Sequence, residues 1–93
     1  MGLSLFEKEE YEDAIASYTK AINLAEISTH FNNRGLAYYY HGQVDEAKKD
    51  FDMAISKDPE DITIYLNRGN MHLSNKDFEL AHEDYKTALT IEK

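Results

Sequence analysis

The feature that most constrains this chain is a set of residues that return at a fixed distance. Gly2, Gly35 and Gly69 travel with Ala14, Ala47 and Ala81, with Tyr18, Phe51 and Tyr85, and with Ala21, Ala54 and Ala88, each column stepping by 33 and then 34 residues. Helical periodicity governs spacing inside one element and not between elements, so four columns with shared offsets mark a repeated structural unit. The chain must therefore build its core by stacking similar pieces side by side.

Each unit reads as two helices. The pattern predicts a helix from 28 to about 41, a turn around Gly42, a helix from 44 to about 57, and Asp58-Pro59-Glu60-Asp61 as a stop and restart. Proline cannot continue a helix interior, and Asp61 before an apolar-periodic run is suited to accept early backbone N–H groups as an N-cap. A second pair is predicted from 62 to about 75 and from 78 to about 91. Glycine weakens a helix and alanine fills little space, so their recurrence points to neighbouring backbones in close approach.

Phe31, Gly35, Tyr38, Ala47, Phe51, Ala54 and Pro59 together resemble the signature of a tetratricopeptide repeat. In the next unit Tyr65, Gly69, Ala81, Tyr85 and Ala88 match, with His72 where the family usually has an aromatic residue. In the first, Gly2, Leu5, Ala14, Tyr18 and Ala21 match, but half of the first helix is missing and Ala25-Glu26-Ile27 replaces the proline turn. The resemblance implies an all-α fold, a right-handed superhelix (solenoid) of antiparallel helix pairs. Residues 1–27 would form a partial first repeat, 28–61 a second and 62–93 a third, together one domain of about two and a half 34-residue repeats.

Charge is distributed unevenly over these helices. From 28 to 41 the one formal charge is Arg34, and from 62 to 75 it is Arg68, whereas 45–58 holds Glu46, Lys48, Lys49, Asp50, Asp52 and Lys57 among others. Solvated helix faces usually carry charge, so Thr63, Asn67, Asn70 and Ser74, at i, i+4, i+7 and i+11, read as a hydrogen-bonding ridge. Ile62, Tyr65, Leu66, Gly69, His72 and Leu73 are expected to pack inward. One unit earlier, Thr29, Asn33, Leu36 and Tyr40 share a face with Asn32 and Tyr39 at its flank, and Tyr38 is expected in the core.

The resemblance implies that these first helices line a concave groove in which an extended peptide of a partner protein is held by asparagines such as Asn33 and Asn67. A primary amide donates and accepts at once, so it can pair with a peptide unit whatever the side chain. Replacing Asn33 and Asn67 by alanine is expected to spare helicity and melting while weakening partner binding. One subclass of the family grips the terminal carboxylate of heat-shock chaperones with asparagines and basic residues. Of these only Asn33 has a counterpart here, and Leu3, Thr63 and Asn67 stand where other clamp residues belong. Arg34 and Arg68 are open to two readings, pairing with a ligand acid or with acidic residues of neighbouring helices.

Composition narrows the partners. Ten Lys and Arg against eighteen Asp and Glu give a net charge of -8, which opposes anionic phosphate backbones and makes nucleic acid an unexpected ligand. The acidic stretch from Glu7 to Asp13 and the group Glu79, Glu83 and Asp84 read as a solvated face or a lure for a basic partner. No apolar run approaches the ~20 residues of a membrane span, and no Asn-x-Ser/Thr acceptor occurs. The lack of cysteine excludes disulfides and thiolate chemistry and fits a cytoplasmic setting.

His30, His41, His72 and His82 show no metal-ligand spacing, and no nucleophile motif or phosphate loop is present, so neither catalysis nor a cofactor is expected. His72 is expected as a packed substitute for an aromatic ring, and His41 at a helix C-terminus. Leu3, Leu5 and Phe6 at one end, with Leu89 and Ile91 at the other, are expected to leave apolar ends open to self-association or further repeats. The expectation is thus a protein-interaction scaffold. The other readings are a stacking or spacer module and the recognition array of a larger enzyme.

Overall fold

A computed structural model describes the backbone of residues 5–92 and the side chains of residues 9–92. Within that range the chain forms five helices, α1 (Leu5–Leu24), α2 (Ser28–Tyr40), α3 (Val44–Lys57), α4 (Ile62–Ser74) and α5 (Phe78–Glu92). The tightest packing is within the pairs α2/α3 and α4/α5, and α1 lies on α2 as α3 lies on α4. The result is a helix-pair solenoid, with the core running along the stack rather than gathered at one centre.

The recurring residues do the packing that their spacing implied. Ala47, Phe51 and Ala54 are fully buried, Ala81 and Ala88 nearly so. A Cβ placed on Gly35 would lie 2.9 Å from Cε1 of Phe51, and one on Gly69 would lie 2.9 Å from Cε1 of Tyr85. Each glycine thus lets an aromatic ring of the second helix rest directly on the backbone of the first.

Turn chemistry sets the helix ends. Gly42 sits at φ +87°, and the Gln43 N–H donates to Tyr38 O at 2.8 Å, closing α2 with a left-handed C-terminal residue. Thirty-four residues on, Lys76 occupies the same position at φ 63°, and Asp77 N–H donates to His72 O at 2.8 Å. In the first unit the corresponding residue is Glu9, and no turn forms there: α1 runs unbroken from Leu5 to Leu24. The half helix expected ahead of that turn is therefore continuous with the second helix of its unit over the described residues. At the start of α4, Asp61 accepts from Thr63 N–H at 3.0 Å, as its N-cap position required. Tyr65 donates its hydroxyl to Pro59 O at 2.8 Å, tying the helix to the bend before it.

Two expectations about burial need correction. On α4, Ile64 and Met71 are buried, whereas Leu66 and Leu73, expected to pack inward, are 41% and 47% exposed. The inward arc is centred on Tyr65, Gly69 and His72, and α3 adds a second packing partner on the side of Ile64 and Met71, which turns Leu66 and Leu73 outward. Asp84, grouped by sequence with the exposed acids Glu79 and Glu83, is 4% exposed. Tyr38 is half-buried and packs against the core cluster.

Candidate functional site

The arginines of the first helices are committed to the fold. Arg34 forks onto Asp50, with Nε to Oδ2 and Nη2 to Oδ1 both at 2.7 Å, and Arg68 forks onto Asp84 at 2.9 and 2.6 Å. Each uses its third nitrogen to reach the preceding unit: Nη1 of Arg34 donates to Thr19 Oγ1 at 3.2 Å, and Nη1 of Arg68 to Asp52 Oδ1 at 2.9 Å. The guanidinium of Arg34 also lies 5.7 Å from the Tyr38 ring centre, and that of Arg68 lies 5.9 Å from that of Tyr65. Hydrogen bonding to Asp50 and Asp84 outweighs partial burial and raises both arginine pKa values above their ordinary range. Of the two readings open for these side chains, the intramolecular ion pair is the one that forms. His72 joins the second of these clusters, its Nε2 lying 3.6 Å from Asp84 Oδ2.

With both cations drawn inward, the face shared by α2 and α4 is uncharged. Asn67 donates from Nδ2 to Oδ1 of Asn32 at 3.0 Å, linking the two helices across the repeat boundary. Asn32 is buried beneath this bond, while Asn33, Leu36 and Tyr39 are half-buried, and Thr63, Asn70 and Ser74 are exposed. Tyr39 donates its hydroxyl to Ser74 Oγ, a second link between α2 and α4, and Tyr85 donates to Asn70 Oδ1. The asparagines are therefore not a row of independent amides. Asn67 and Asn32 form a fixed pair, and Asn70 is held from α5.

Tyr40 is 52% exposed and stacks on Tyr11 of α1 with ring centres 5.8 Å apart, while Tyr39 leans against it at 5.3 Å. Beside this aromatic group lies an open depression of about 190 Å³ lined by Tyr11, Ala14, Tyr18, Asn33, Leu36 and Tyr40, among others. Tyr11 was not singled out by sequence, because its role depends on how α1 crosses α2. The Arg–Asp pairs did leave a signal, since Arg34 and Arg68, like Asp50 and Asp84, are 34 residues apart. Among the described residues no group of three or more His, Asp or Glu could hold a metal ion, and no helix is long and apolar enough to cross a membrane. Of the ends expected to be apolar, Leu89 is 61% exposed and Ile91 half-buried; Leu3 and the side chains of Leu5 and Phe6 lie outside the described residues.

Comparison with known proteins agrees with this architecture. The tetratricopeptide repeat profile matches residues 32–92, and a second profile of the same description matches residues 1–27. The chain is 31% identical, over 96% of its length, to the Hsp70-Hsp90 organizing protein of Triticum aestivum. It is 34% identical over 98% of its length to the small glutamine-rich tetratricopeptide repeat-containing protein 2 of Saccharomyces cerevisiae, and 29% identical over 98% to the mitochondrial import receptor subunit TOM34 of Rattus norvegicus. It spans less than a third of the length of each of these relatives, covering 17%, 27% and 32% of them respectively. The repeat columns, the stacked helix pairs and these matches together place the chain in the tetratricopeptide repeat family.

Proposed function

We propose that the uncharged face shared by α2 and α4 holds an extended segment of a partner protein, mainly by its backbone. The observation that carries this reading is the withdrawal of Arg34 and Arg68 into ion pairs with the buried carboxylates of Asp50 and Asp84. What remains exposed is Tyr40, Thr63, Leu66 and Asn70, with the half-buried Asn33 beside Tyr40 on the α1 side of α2 and the bonded pair Asn32–Asn67 joining α2 to α4. Such groups offer donors, acceptors and flat apolar area without demanding a charge in the ligand. A protein-interaction scaffold role is supported by relatives named as an organizing protein for Hsp70 and Hsp90 and as an import receptor subunit.

The same residues argue against a grip on a terminal carboxylate. The positions where a basic pair would be needed carry Thr63 and Asn67, and the nearby cations already have acidic partners. The test is selection of peptides against the chain from a random library, followed by titration of the selected peptides with and without their free carboxylate. The reading expects Asn33→Ala and Tyr40→Ala each to weaken binding about five-fold, the worth of roughly one net hydrogen bond or stacked ring. It expects amidation of the peptide C-terminus to change little. Loss of binding on amidation, or equal affinity of both variants and the original chain, would remove the assignment.

A further inference from the structure

Two side-chain hydrogen bonds tie α2 to α4, and they form a pattern of their own. Asn67 donates to Asn32 at 3.0 Å and Tyr39 donates its hydroxyl to Ser74, with the partners 35 residues apart in both bonds. Asn32 and Tyr39 are seven residues apart on α2, as Asn67 and Ser74 are on α4. The bonds therefore stand two helical turns, about 10 Å, apart along the shared face. This pattern is not a column of the repeat. The counterparts of Asn32 and Tyr39, 34 residues on, are Leu66 and Leu73, whose side chains neither donate nor accept.

What the bonds do follows from how α4 is held on its other side. There it packs on α3 through Ile64 and Met71 of the core cluster, with the Arg68–Asp52 pair at the edge. Apolar contact is non-directional, so it holds α4 against α3 more firmly than it fixes the angle between them. On the α2 side, α2 and α4 touch more lightly than any other helices in contact among the described residues. Hydrogen bonds, with their narrow preferences of length and angle, supply the geometry there. One such bond would leave a pivot, whereas two bonds two turns apart fix the angle as well as the separation. Tyr39 also leans on Tyr40 with ring centres 5.3 Å apart, so the same bond steadies the exposed ring of the face.

We propose that Tyr39 and Ser74 are positioning residues for the groove. With the Asn67–Asn32 pair they clasp α4 to α2, and so set the angle at which Asn33 and Tyr40 on one helix and Thr63 and Asn70 on the other meet a bound segment. The proposal rests on the reading of this face as the binding groove, and it requires no contact between Tyr39 and the partner. A preset angle spares the complex the freedom that would otherwise be lost in ordering one helix pair against the next.

Two measurements on the 93-residue chain separate the clasp from the groove. Amide residual dipolar couplings of the isotope-labelled chain report the orientation of the pair α2/α3 relative to the pair α4/α5. A single alignment frame should fit both pairs in the original chain, whereas in Tyr39→Phe and in Ser74→Ala the two pairs should need separate frames, with circular dichroism unchanged. Affinity for a peptide selected from a random library against the original chain should fall about five-fold in each variant, the scale of one net hydrogen bond. The double variant should bind no more weakly than either single one, because both remove the same bond. Ser74→Thr, which keeps a hydroxyl in place, should recover the affinity lost with alanine. Losses that multiply in the double variant would mean two independent contacts with the peptide and would overturn the proposal, as would couplings that fit one frame in every variant. If the original chain selects no peptide, the groove reading falls, and the couplings alone then decide whether the clasp holds the angle.

Discussion

Arg68 and Asp84 meet edge to edge, with both carboxylate oxygens engaged by Nε and Nη2 at 2.9 and 2.6 Å, and the pair recurs one unit earlier as Arg34 and Asp50. The carboxylates are buried and the guanidiniums partly so, which makes these bonds stronger than surface ion pairs and their loss more costly. Replacing Asp84 by Asn keeps the shape but turns an amide N–H toward guanidinium donors. We expect Asp84→Asn and Asp50→Asn each to destabilise the chain by about 2 kcal/mol, the scale of a hydrogen bond to a charged group. Asp52→Asn, at an exposed carboxylate that also meets Arg68, should cost no more than about 0.5 kcal/mol. Urea unfolding of the three variants measures the contrast, and equal losses would contradict it.

Lys76 holds a backbone conformation that suits glycine. At φ 63° its side chain crowds its own backbone, whereas Gly42 at φ +87° carries no such penalty in the equivalent turn. Lys76→Gly should therefore stabilise the chain by about 0.5–1 kcal/mol after allowing for the greater freedom of glycine in the unfolded state. Gly42→Ala should destabilise it by a similar amount, although nothing lies within 4 Å of the added Cβ. Thermal melting of both variants checks the opposite signs.

At Gly35 and Gly69 the limitation is space. A methyl group on either would press on a ring of Phe51 or Tyr85, and Phe51 is fully buried with nowhere to retreat. The helix-propensity gain from Gly to Ala, about 1 kcal/mol, is outweighed by an overpacking cost of about 1–3 kcal/mol. Gly35→Ala should lower the melting temperature, and adding Phe51→Leu should recover part of that loss relative to Phe51→Leu alone. A double-mutant cycle with no coupling would show that the close contact carries no energy.

Asn33 and Asn67 look equivalent in sequence and differ in the structure. Asn67 satisfies the buried Asn32, so Asn67→Ala should cost about 1 kcal/mol of stability by leaving that carbonyl unpaired. Asn33→Ala should leave stability within about 0.5 kcal/mol of the original. Intact melting is therefore expected of Asn33→Ala alone, and binding experiments on Asn67 variants need a stability control. Equal melting temperatures for the two single variants would refute the distinction.

Much of the architecture was legible in the residues alone because packing in a repeat array is local and periodic. Four columns at a shared offset told where backbones approach, Pro59 and Asp61 told where one pair ends and the next begins, and Gly42 told where a pair turns. The unbroken α1 was not legible, since the column offsets place Glu9 where Gly42 and Lys76 turn the chain, and only the backbone shows it inside a helix. For the site, sequence determined the residue types on the first helices, including their scarcity of charge. Tertiary structure decided what those residues do. It drew Arg34 and Arg68 into pairs sixteen residues away, joined Asn67 to Asn32 thirty-five residues away, and turned Leu66 and Leu73 outward in place of Ile64 and Met71. Helical period fixes which residues share a face of one helix, but only the position of its neighbours determines which of its faces is covered and which meets a partner.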